Sequence, residues 1–174
     1  IDAFDDMMPT AWEETDGTGL TIGHDKISGV GGSTNVQWKS PTVGASYIAI
    51  AYAPNNDGSK SADKASSGLT SAKQQGWDTR INLGTGGDSL IGGLNIFAGY
   101  SHSQRDPDLK ANTNDDGQND HEEGVAGFTW AYGPVKIGLQ RSGEYLGNEK
   151  TGSNVFGYAN TAYGVSFNVN DNLS

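Results

Sequence analysis

The chain has 174 residues, enough for one domain, with 26 glycines, no cysteine, a 34% hydrophobic fraction and a formal net charge of −10. The acidic balance argues against a nucleic-acid partner, since phosphate binding needs clustered Lys and Arg, and the lack of an apolar run of about 18 residues excludes a transmembrane helix. So low an apolar fraction is thin for a two-layer sandwich but suits a wall around water, where only every second residue need be apolar.

Residues 1–32 open acidic, with Asp2, Asp5, Asp6, Glu13, Glu14 and Asp16 in the first half. From residue 33 onward the sequence alternates polar and apolar residues, the period-2 signature of half-buried strands. In 33–40, Thr34, Val36 and Trp38 oppose Asn35, Gln37 and Lys39. In 45–53, Ile48, Ile50 and Tyr52 oppose Tyr47, Ala49 and Ala51. The stretch 77–83 is cleanest, with Trp77, Thr79, Ile81 and Leu83 against Asp78, Arg80 and Asn82. In 93–102, Leu94, Ile96, Ala98 and Tyr100 oppose Asn95, Phe97, Gly99 and Ser101. Next, 124–132 sets Ala126, Phe128, Trp130 and Tyr132 against Gly127 and Thr129, and 135–145 sets Val135, Ile137 and Leu139 against Lys136, Gly138 and Gln140. In 154–170, Tyr163, Val165, Phe167 and Val169 oppose Gly164, Ser166, Asn168 and Asn170. These phases predict seven strands, with Lys39, Arg80 and Lys136 on polar faces.

The connections alternate in length. Residues 40–44, 84–92, 133–134 and 170–172 are short and rich in turn formers; 54–76 and 103–122 are long, and 146–153 is of medium length. Tight turns therefore gather at one end of a sheet and long loops at the other, the plan of an antiparallel transmembrane β-barrel with short periplasmic turns and long extracellular loops. Trp38, Tyr52, Trp77, Tyr100, Trp130 and Tyr132 lie on apolar phases, mostly near strand ends, as interfacial aromatic girdles require.

Three strings offer other chemistry. Asn112, Asn114, Asp116, Asp120 and Glu123, with Gly117, match EF-hand spacing and define a calcium reading of an external loop. Asn rather than Asp opens the set and strands flank it, so an acidic external loop is the plainer reading. Gly87-Asp88-Ser89-Leu90 spells a hydrolase nucleophile block, but the Asp-x-x-His block that would activate its serine is missing. The scattered His24, His102 and His121 show no paired ligand spacing, and the latter two read as solvated groups at a strand end and in an acidic loop. No catalytic constellation emerges, and no enzyme, catalytic residue or resident cofactor is expected.

The opening Ile1-Asp2-Ala3-Phe4-Asp5-Asp6-Met7-Met8-Pro9, the strand Val36-Gln37-Trp38-Lys39-Ser40-Pro41 and the run Gly133-Pro134-Val135-Lys136-Ile137-Gly138-Leu139 resemble the trimeric general porins of Gram-negative outer membranes, in particular their alphaproteobacterial branch. The resemblance covers essentially the whole chain, as a middle portion of a sixteen-stranded barrel. It implies a water-filled channel in the bacterial outer membrane for passive diffusion of small hydrophilic solutes and ions, formed by a homotrimer in contact with lipid and lipopolysaccharide. It also implies that 1–16 is the constriction loop, with Asp2, Asp5, Asp6, Glu13, Glu14 and Asp16 facing the basic wall residues Lys39, Arg80 and Lys136, so that 1–32 is loop and lead-in and 33–174 is barrel. A separated acidic and basic lining sets up a transverse field that orients polar solutes and sets ion preference.

A membrane sheet with free edges would leave backbone groups unpaired in hydrocarbon, so the chain is expected to be an internal piece of a larger barrel. Arg141 departs from the pattern by falling on the apolar phase. It implies either a place beyond the apolar band or a bulge that switches phase, since a midplane Arg costs about 2–4 kcal/mol. The alternative reading is a soluble, Gly-rich extracellular β-protein, a calcium-dependent adhesin or filament subunit whose strand edges pair with neighbouring copies. A small eight-stranded barrel would need residues 20–28 as an extra strand.

Overall fold

The structure, a computed structural model, describes residues 1–4, 7–9, 27, 29–30, 34–54, 73–85, 91–105, 120–145 and 157–168. The fold is all-β. Its strands are β1 (Val36–Lys39), β2 (Tyr47–Ala53), β3 (Lys73–Gly84), β4 (Leu94–Arg105), β5 (His121–Tyr132), β6 (Val135–Tyr145) and β7 (Gly157–Phe167). They form one seven-stranded antiparallel sheet in the order β1-β2-β3-β4-β5-β6-β7, an open meander with β1 and β7 at its edges. Each expected strand is present and each pairs with its chain neighbour.

Strand ends differ from the expected ones where alternation fades. β3 begins at Lys73 rather than at 77, with a register shift between Lys73 and Gly76, and β5 begins at His121 rather than at 124. In both places residues of both phases are polar (Gln74 and Gln75, Glu122 and Glu123), so the hydrophobic pattern vanishes while the ladder continues. His121 is therefore a buried strand residue, not a solvated loop residue as its acidic surroundings suggest.

Turn chemistry explains the short end. Between β5 and β6, Gly133 takes the positive φ of 56° that primed two-residue hairpins demand at their first central residue, and Pro134 fills the second. Gly44, at φ 62°, does the same between β1 and β2, where Val43 and Ser46 exchange backbone hydrogen bonds at 3.0 Å.

Register divides the sheet into two faces of opposite character. One carries Ile48, Ile50, Tyr52, Trp77, Leu83, Ile96, Leu139, Tyr163, Val165 and Phe167, all exposed. The other carries Asp78, Asn82, Ser101, Ser103, His121, Glu123, Thr129, Gln140 and Ser142, all buried. That is the reverse of a soluble half-buried sheet, where the greasy face is the covered one. Residues 1–4, 7–9, 27 and 29–30 lie on the polar face. Their Ile1, Phe4 and Ile27 cluster with Phe97 and Val125, and Val30 packs on Ala51 and Ala53. Ile27 thus sits in this covering layer rather than in an extra strand; residues 20–26 and 28 lie outside the described residues.

Candidate functional site

The polar face is built from cross-strand rows, because residues two apart on each strand point the same way. One row runs Lys39, Ala49, Arg80, Gly99, Val125, Ser142 and Asn160 from β1 to β7. The next row, toward the long-loop end, runs Gln37, Ala51, Asp78, Ser101, Glu123, Glu144 and Tyr158. A basic row and a carboxylate row therefore lie side by side, about 6.6 Å apart along each strand.

The three basic wall residues share this face. Lys39 and Arg80 occupy one row, separated by β2, and the Lys39 ammonium sits 3.9 Å from the centroid of the Tyr47 ring. Arg80 is half-buried, and its Nε is buried without a hydrogen-bond partner among the described residues. Lys136 is exposed near the short-turn end, opposite Ala131 and Ser166. Of the acidic residues expected to face them, Asp2 belongs to the 3-10 turn Asp2–Phe4, while Asp5, Asp6, Glu13, Glu14 and Asp16 lie outside the described residues.

Wall side chains hold the covering segment through its backbone. Gln140 donates from Nε2 to the Phe4 carbonyl at 3.0 Å and accepts a longer contact, 3.4 Å, from the Met7 N–H on Oε1. The Val30 N–H donates to both oxygens of Asp78, at 3.1 and 3.2 Å, and the Ile1 backbone nitrogen donates to the same carboxylate. The Gly29 N–H donates to Glu123 Oε2. Gly29 takes a φ of 57°, and a Cβ there would run into the Asp78 carboxylate. Apolar contact completes the seat: Phe4 meets Phe97 with ring centroids 5.2 Å apart, and Pro9 is buried against the bare backbones of Gly138 and Gly164.

The residues of the calcium reading separate. Asp120 pairs with His102 Nε2 at 3.1 Å on the apolar side, where His102 also stacks on Trp77. Glu123 points to the polar side, and Asn112, Asn114 and Asp116 lie outside the described residues. His121 Nε2 lies 2.7 Å from Glu144 Oε1, and ligand atoms of His121, Glu123 and Glu144 all fall within 4.8 Å of one another. Sequence spacing gave no sign of that trio, since Glu144 arrives from the next strand through the register. Asp78, Glu123 and Gln140 as anchors were equally hidden: the polar phase of Asp78 and Gln140 was visible and Glu123 read as a loop carboxylate, but their partners were not.

Comparison with family models, with curated proteins and with solved structures finds no match for this chain.

Proposed function

We propose that this chain is part of the wall of an outer-membrane porin, a passive channel for small hydrophilic solutes and ions in the bacterial outer membrane. The observation that carries the reading is the inverted polarity of the sheet, with Ile, Leu, Val and aromatic residues exposed on one face and Asp, Asn, Arg, Glu and Gln lining the other. Lipid covers the first face in a barrel and water occupies the space behind the second. Dimensions support it: β5 has 12 residues, about 40 Å of strand at ~3.3 Å per residue, or roughly 30 Å of height at a barrel tilt of ~40°, which fits an apolar band about 25 Å tall with its girdles. Trp77 and Tyr100 pack together near the long-loop end, and Trp130 stacks on Tyr132 beside the β5–β6 turn, so aromatic pairs flank the aliphatic zone at both ends.

Residues 1–4, 7–9, 27 and 29–30 lie against the polar face as a constriction would, leaving Lys39, Arg80 and Lys136 to line the passage. Solutes are sieved by the remaining aperture and sorted by the field at the wall; no bond is made or broken. Trimeric assembly and contact with lipopolysaccharide follow from the resemblance to general porins.

The test is planar-bilayer recording with the detergent-purified full-length protein. Discrete, long-lived conductance steps are expected. A protein that stays dispersed without detergent and gives no steps overturns the reading in favour of the soluble extracellular one.

A further inference from the structure

We propose that His121, Glu123 and Glu144 form a binding site for a first-row divalent cation of the zinc class, on the polar wall at the long-loop end. The reading is independent of channel activity and goes beyond it.

The register assembles the donors. His121 and Glu123 are two apart on β5 and so share a face, and Glu144 on β6 is paired directly with Glu123. Their ligand atoms lie within 4.8 Å of one another, a separation that small side-chain rotations reduce to the spacing around one ion. His121 and Glu123 are almost fully buried, and the Glu144 side chain is 20% exposed, which leaves an approach from one side. Carboxylates directly opposite on neighbouring strands repel, and a dication placed between them turns that repulsion into ligation.

A second observation points to the same place. Ser101 is paired with Glu123 from the other side, on β4, and is 1% exposed. Its Oγ has no hydrogen-bond partner among the described residues. A buried hydroxyl with no partner is costly. A cation retaining one water supplies the partner, because the bound water donates to Ser101 Oγ. A simple His121–Glu144 hydrogen bond leaves the Ser101 hydroxyl unexplained.

The donor chemistry selects the ion. One imidazole nitrogen with two carboxylates suits Zn²⁺, Co²⁺ or Ni²⁺, whereas calcium and magnesium take all-oxygen sets. Two carboxylates also cancel the charge of a dication. Because Glu123 holds the Gly29 N–H, an ion here stiffens the return limb of the covering segment as well as the wall.

The experiment is a titration of the chelator-stripped full-length protein in detergent with Co²⁺, read by visible absorption, followed by displacement with Zn²⁺. One saturable Co²⁺ per chain is expected, displaced by Zn²⁺ and not by Ca²⁺. His121→Asn and Glu144→Gln should each weaken binding about ten-fold or more, and His102→Asn should leave it unchanged. The part-exposed Glu144→Gln variant keeps shape and volume and reads the site even if His121→Asn does not fold. Absence of a saturable site, equal displacement by Ca²⁺, or wild-type affinity in Glu144→Gln overturns the proposal.

Discussion

Arg141 places a guanidinium on the face that carries most of the exposed Ile, Leu and Trp side chains. β6 keeps an unbroken register with both neighbours from Val135 to Tyr145, so no bulge turns Arg141 inward, and its side chain is exposed. Toward the long-loop end its neighbours are Gly143, Gly124 and Ala159, whose small side chains leave a lane along which the guanidinium can run toward the interface. Arg141→Leu is expected to raise stability in lipid by about 1 kcal/mol, between the midplane and interfacial costs of a lipid-facing Arg; urea titration in vesicles checks it. On the opposite face, a Cβ on Gly164 would come within 2.6 Å of the Pro9 carbonyl oxygen. Gly164→Ala should loosen the covering segment by about 1–3 kcal/mol, as overpacking does. Limited proteolysis of the folded protein should then cut within residues 1–9 faster than in wild type.

Among the elements, the strands were legible and their contacts were not. Alternation announced β1 to β7 and assigned their phases, because a strand with differently wetted faces must alternate at period 2. It failed at the starts of β3 and β5, where Gln74, Gln75, Glu122 and Glu123 make both phases polar. It also said nothing of which polar side chains meet. Asp78 stood in the sequence as an ordinary polar-phase residue, yet across 48 residues of chain it takes the Val30 N–H. Asp78→Asn keeps the shape and removes the charge from those hydrogen bonds. A loss of about 1–2 kcal/mol is expected, on the scale of charged against neutral hydrogen bonds, read as a lower urea midpoint in detergent. Glu123 was legible as an acidic residue near a loop, but the register, not the loop spacing, decides its neighbours.

For the molecule as a whole, the exposed apolar face sets the environment. Large contiguous apolar patches are rare on monomers in water and mark contact with protein or membrane; on the proposed membrane reading the protein should need detergent or lipid at every stage of purification. The aromatic pairs allow a finer check. Variants retaining only Trp77 or only Trp130 should be quenched more strongly by lipids brominated near the carbonyls than by lipids brominated near the chain ends, because interfacial rings sit at headgroup depth. Equal quenching from both depths would mean that the rings do not mark the edges of the band. The antiparallel order of the strands was legible because connection lengths alternate along the chain, a global signal that needs no contact to be known. The seat of the covering segment was not, since it depends on glycines such as Gly138 and Gly164 whose purpose shows only once Pro9 lies against them.

The described polar grips on that segment all close on its main chain: Gln140 on Phe4 and Met7, Glu123 on Gly29, Asp78 on Val30. Peptide groups are the same whatever side chain they carry. The polar mooring is therefore indifferent to much of the lettering of what it holds, and beyond a glycine at 29 the seat stipulates apolar side chains at Ile1, Phe4, Pro9, Ile27 and Val30. Descendants of this sequence are free to rewrite the side chains that the segment displays while its path stays put, so that the character of that surface can drift without the architecture having to be reinvented.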